Sequence, residues 1–108
     1  MELFAQYIME REGKQCVYNE HGFATYVFFE DFCYIEDIFV VESCRKSGVA
    51  SALADLIVAE AKEKGYKKLL GTVCPTAKNS TNSLKVLLAY GFNLKSSEHN
   101  LIWFTKEI

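Results

Sequence analysis

The chain has 108 residues, enough for one hydrophobic core and too few for two, so a single domain is expected over residues 1–108. Half of the residues are hydrophobic and 24% are charged, a balance that supplies a core and argues against intrinsic disorder. Twelve Lys and Arg against fourteen Asp and Glu leave a formal charge of -2, without the basic excess that binding to a phosphate backbone requires, which disfavours general nucleic-acid binding.

The first element is predicted over residues 2–12, where Leu3, Phe4, Tyr7 and Ile8 recur at helical spacing and charges gather toward Gly13. Gln15 to Tyr18 and Phe23 to Phe29 are rich in Val, Tyr, Phe and Thr, and the Asn19 to Gly22 segment between them carries turn chemistry, which predicts a β-hairpin. Cys33 to Val41 reads as a central strand, apolar on both faces except at Glu36 and Asp37. From Val49 to Lys64 the positions Val49, Leu53, Leu56, Ile57 and Ala61 predict a helix that ends at Gly65. Lys68 to Val73 is the next strand, and a strand, helix, strand order implies a right-handed crossover between parallel neighbours. Ser80 to Tyr90 forms a second helix with Leu84, Leu87 and Leu88 as its buried face, stopped by Gly91. Phe92 to Lys95 and Leu101 to Thr105 close the chain as two strands around the turn SSEHN.

Cys16, Cys33, Cys44 and Cys74 form no C-x-x-C pair and stand at no finger-like distance from His21 or His99, so no metal site is expected. They read as reduced thiols packed as small hydrophobes, in keeping with a cytoplasmic protein. No segment has the basic flank and apolar run of an export signal, and no apolar stretch approaches bilayer-spanning length, so no membrane partner is expected.

Chemistry concentrates where the central strand meets the long helix. Arg45, Lys46, Ser47, Gly48, Val49 and Ala50 run as a small-residue loop into a helix N-terminus, either an ordinary strand-to-helix turn or an anion site where free amides and the positive end of the helix dipole converge beside two basic side chains. Phosphate or pyrophosphate is the natural guest of such a loop. It is neither a Walker loop nor the glycine pattern of dinucleotide folds. Strand alternation sets Glu36 on one face with Tyr34, Ile38 and Val40, where apolar neighbours would raise its basicity, and sets Asp37 on the other.

These residues resemble the GNAT superfamily of acetyl-CoA-dependent N-acetyltransferases. Val40 ends the strand, Arg45, Gly48 and Ala50 match the Arg, two residues, Gly, one residue, Ala signature, and the Gly91-Phe92 pair closes the second helix in register. The resemblance implies an α+β fold with a mixed, mostly antiparallel twisted sheet, a splayed parallel strand pair and flanking helices. Against that family a shortened N-terminal side is expected, with the first strand and first helix of a full-length member absent, since only about thirty residues precede the central strand. The resemblance implies acetyl-CoA as co-substrate, with pyrophosphate on the amides of Arg45 to Ala50, a further hydrogen bond from Ser51, and pantetheine along the backbone of Phe39, Val40 and Val41. It also places Ser80 where many members carry a cofactor-contacting Asn, and Leu87 where they carry the Tyr that protonates the thiolate. The string YIEDIFV is similar to the strand of diamine and polyamine acetyltransferases, which implies Glu36 as general base and Asp37, with Tyr34, as substrate contacts. The expected activity is acetyl transfer to a primary amine, small or on a macromolecule, in a chain that forms a homodimer. The alternative is an acyl-CoA-binding module that no longer turns over, which the leucine at position 87 favours.

Overall fold

The computed structural model describes residues 1–78 and 80–108. In chain order the elements are α1 (Glu2–Glu12), β1 (Gln15–Asn19), β2 (Gly22–Phe28), β3 (Cys33–Val40), α2 (Val49–Glu63), β4 (Lys68–Val73), α3 (Ser80–Ala89), β5 (Asn93–Glu98) and β6 (Leu101–Glu107). The six strands form one sheet in the order β1-β2-β3-β4-β6-β5. Every neighbouring pair is antiparallel except β3 and β4, which are joined through α2 and run parallel, so the expected mixed fold is present.

Leu53, Ile57 and Ala61 of α2 are fully buried against Ala24, Tyr26, Cys33 and Ile35, and Leu87 of α3 joins the same core with Phe92 and Phe104. Both crossover helices therefore cover one face. The opposite face carries α1 at its β2 end, where the rings of Phe4 and Phe23 lie 5.3 Å apart. The apolar positions expected to be covered are only partly so. Leu3 is 82% exposed and Tyr7 54%, and Ile8 is the buried residue of α1, because the helix lies over the sheet's narrow β1 edge. Leu56 and Leu88 are likewise exposed, each pointing off the side of its helix that meets the sheet.

The last hairpin is tighter than its sequence suggests. His99 and Asn100 both adopt left-handed backbone, φ 54° and 61°, which makes a two-residue turn and lets β5 run to Glu98 in place of ending at Lys95. Paired left-handed residues match the right-handed twist of the strands, so pairing continues into what reads as a five-residue loop. Among the described residues no helix is long and apolar enough to cross a membrane, and no cluster of three or more His, Cys, Asp or Glu side chains is arranged to hold a metal ion.

Candidate active site

The parallel pairing of β3 with β4 spans Cys33 to Ile35 against Leu69 to Gly71. Beyond it β3 continues to Val40 on β2 alone, while β4 continues through Thr72 and Val73 on β6. The two strands thus diverge at Glu36. A parallel pair can open in this way because each strand keeps a complete ladder on its other side.

The opening coincides with a β-bulge. Thr25 pairs with Asp37 and Tyr26 with Ile35, so Glu36 is the extra residue of β3. Ile35 and Ile38, three apart, consequently line one cleft together with Ala50, Ser51 and Ala54 of α2 and Val86, Leu87 and Tyr90 at α3. One inserted residue shifts every later side chain to the other face. The alternation expected from sequence is therefore corrected: Glu36 does not share a face with Ile38, and Asp37 stands on the side of Thr25, Tyr34 and Phe39. Nor is Glu36 set among apolar groups, since its carboxylate accepts a hydrogen bond from Lys14 Nζ at 2.8 Å. Partial burial, and then the charge of Glu36, pushes the Asp37 carboxyl above its ordinary value, while Lys14 draws it down.

Around these carboxylates the same face is aromatic. Tyr34 shares a hydrogen bond of 2.8 Å with Thr72, and its ring lies 6.4 Å from that of Trp103 and 6.5 Å from that of Phe29. Sequence reading named Tyr34 but missed Thr72, Trp103 and Lys14. Each reaches Glu36 or Tyr34 only through sheet register, and an aromatic on the final strand carries no local sign of that proximity.

The loop from β3 to α2 begins with a single turn of 3-10 helix at Glu42–Cys44. Arg45 is extended, its Nε donating to Val40 O at 3.0 Å and its guanidinium lying 6.0 Å from the Phe39 ring centre. The Ser47 hydroxyl donates to Cys44 O. Lys46 and Gly48 take left-handed backbone, φ 65° and 86°, and Gly48 enters α2 with no side-chain cap on the first-turn amides. A Cβ at Gly48 would meet nothing within 4 Å, so the space above the helix end is open. Uncapped amides, the helix dipole and an open cradle fit a pyrophosphate. Arg45, Lys46, Ser47 and Gly48 are all exposed there, and Ala50 and Ser51 face the adjoining cleft. Phe39 and Val41 are also exposed, on the strand edge leading to the loop.

Ser80 is occupied locally, its hydroxyl donating to Pro75 O at 3.0 Å. Leu87 is 8% exposed, and its Cδ2 lies 3.1 Å from where a Cβ on Gly71 would stand. Leu87→Tyr is therefore expected to overpack the interior at a cost of about 1–3 kcal/mol, read as a lower Tm in thermal denaturation; faster turnover at unchanged Tm would instead show that this position opens to the cleft. Tyr90 packs against the core from the end of α3. It is half-buried, its hydroxyl donating to Asp55 Oδ1 at 2.6 Å, and burial followed by that bond raises its pKa.

The cysteines divide. Cys33 is buried, which pushes its thiol up to about 12. Cys74, expected to be packed, is half-buried at the end of β4, where Thr76 and then the Ala77 amide lower its pKa.

A family model described as the acetyltransferase (GNAT) family matches residues 2–92. A comparison with curated protein sequences gave no match. Among solved structures, a GNAT family acetyltransferase from Elizabethkingia anophelis with acetyl-CoA bound is 23% identical with a TM-score of 0.71, over 99% of this chain and 82% of that one. The PaiA N-acetyltransferase of Thermoplasma acidophilum, in complex with coenzyme A, is 10% identical with a TM-score of 0.79, over 99% and 70%. An IAA acetyltransferase from Bacillus cereus is 18% identical with a TM-score of 0.72, over 99% and 84%. These three share the fold, and the family match spans the splayed strands, the uncapped loop and both crossover helices: the chain belongs to the GNAT family of acetyltransferases.

Proposed function

We propose that this protein transfers the acetyl group of acetyl-CoA to a primary amine of a cationic acceptor. The observation that carries the reading is the divergence of β3 from β4 at the bulged Glu36, which leaves a carboxylate at the mouth of the opening. Acetyl-CoA supplies an activated thioester. The uncapped amides of Val49 to Ser51 and the cations Arg45 and Lys46 suit its pyrophosphate, and the β3 edge from Phe39 to Val41 suits an extended chain.

The acceptor amine arrives protonated and must lose a proton before it can attack. Glu36 is the base in this reading, directly or through water, and Asp37 holds the cation beside the rings of Tyr34 and Trp103. The neutral amine then attacks the thioester carbonyl, the carbon–sulfur bond breaks, and the thiolate leaves. With leucine at position 87, water supplies the proton to that thiolate, a tolerable leaving group near neutral pH.

Two measurements test this. Acetyl-CoA at about a hundred times its Kd is expected to stabilise the protein by about 2.7 kcal/mol, raising Tm, and an unchanged Tm at millimolar acetyl-CoA removes the cofactor assignment. Release of free thiol with alkyl diamines or lysine peptides then identifies the acceptor class. The buried Leu87 favours a second reading, an acyl-CoA-binding module without turnover, for which Tm rises but no amine releases thiol.

A further inference from the structure

Lys14 is an alkylammonium already seated at the acceptor face. Its Nζ donates to Glu36 Oε1 at 2.8 Å and to Glu12 Oε1 at 3.0 Å. The side chains of Lys14 and Glu36 are 23% and 32% exposed, so the pair is neither sealed in the core nor free in solvent. Its position follows from the end of α1. Gly13 is left-handed, φ 68°, and the amides of Gly13 and Lys14 donate to Met9 O and Ile8 O, which pins the backbone of Lys14 and leaves its four-carbon stem to swing.

Two further observations mark this spot as built for a ligand. Glu36 is the unpaired residue of the bulge, with Asp37 next to it. Directly across from Asp37, Thr25 is only 5% exposed, and its hydroxyl has no hydrogen-bond partner among the described residues. A buried hydroxyl without a partner is costly unless a ligand or water completes it.

We propose that the Lys14 ammonium is a built-in stand-in for the acceptor's cationic group, holding Glu36 in the free protein and moving aside to Glu12 when a diamine or lysine-like cation enters. Lys14 has the same chemistry as such an acceptor, an ammonium on a flexible alkyl chain. Displacement is cheap because Glu12 already shares the charge, so Lys14 never loses its last partner. Selectivity follows. A ligand that brings its own positive charge can replace Lys14 at Glu36, whereas a neutral amine would leave that carboxylate without a cation. While Lys14 holds Glu36 its pKa is raised, first by Glu36 and then by Glu12, which keeps it charged in the free protein.

This inference rests on the reading that Glu36 faces the acceptor, and its test does not need turnover. In protein labelled with 15N-lysine, without acetyl-CoA, the Lys14 ammonium resonance is assigned by its absence from Lys14→Arg and followed during titration with 1,4-diaminobutane and, separately, aniline. The diamine is expected to shift or broaden that resonance and aniline to leave it alone. Calorimetry is expected to give about fivefold tighter diamine binding for Lys14→Met, the range of a partly exposed ion pair, and little change for Lys14→Arg. A Lys14 signal unmoved by the diamine, or weaker diamine binding by Lys14→Met, would overturn the inference. If the diamine displaces Lys14 but no thiol is released with acetyl-CoA, the stand-in holds and the transferase reading fails. Thiol release with Lys14 undisturbed does the reverse, supporting the transferase reading and overturning the stand-in.

Discussion

Glu36→Gln is expected to lower amine-dependent thiol release at neutral pH by about a hundredfold or more, the usual contribution of a positioned general base, while leaving acetyl-CoA binding intact. The two effects separate because Glu36 lies on the bulge of β3 whereas the uncapped amides that suit pyrophosphate open α2, beyond the end of that strand. Much of the lost rate should return at high pH, where the acceptor is already deprotonated and has no proton to surrender. Loss of the Lys14 ion pair is a second consequence of the same substitution, but that pair is partly exposed and contributes little to stability, so Tm should change only slightly. Wild-type turnover in Glu36→Gln at pH 7 with the best amine would remove Glu36 as base and leave catalysis to water and positioning alone.

The second large effect is expected at Gly48. Its φ of 86° is a conformation that a β-branched residue enters only under strain, yet a Cβ there would meet no protein atom within 4 Å. Gly48→Val should therefore fold with a lower Tm, by an amount that reflects about 1–3 kcal/mol of backbone strain, and should lose the Tm increase given by acetyl-CoA, because the new methyls fill the space over the first-turn amides. Gly65 provides the control. It has φ 87° and the same open surroundings but lies past the other end of α2, so Gly65→Val should suffer a similar drop in Tm and keep the full response to acetyl-CoA. Equal responses in both variants would show that the Gly48 loop does not hold the cofactor.

Much of this protein is legible in one dimension because the signals are local. A helix declares itself by residues three and four apart, so α2 and α3 appear within about a residue of their true limits, and β4 matches its expected span of Lys68 to Val73. The loop that opens α2 is equally local: a glycine, small residues and a helix start lie within a few positions of one another, and they need no partner strand to be recognised.

What the sequence by itself determined was therefore the order of elements, the parallel crossover and the loop that opens α2. Only the tertiary structure decided which way Glu36 and Asp37 point, because a bulge is a property of two strands and cannot be read from one. The pairing of Thr25 with Asp37 and of Tyr26 with Ile35 brought Asp37 onto the face of Tyr34 and turned Ile38 away from it, while Lys14 reaches Glu36 and Trp103 lies near Tyr34. Lys14 stands 22 residues before Glu36, and Trp103 reaches Tyr34 through the β4–β6 ladder, so neither proximity follows from any periodicity. Side-chain direction in a strand has a period of two, and one inserted residue inverts it; the chemistry of this site hangs on that insertion.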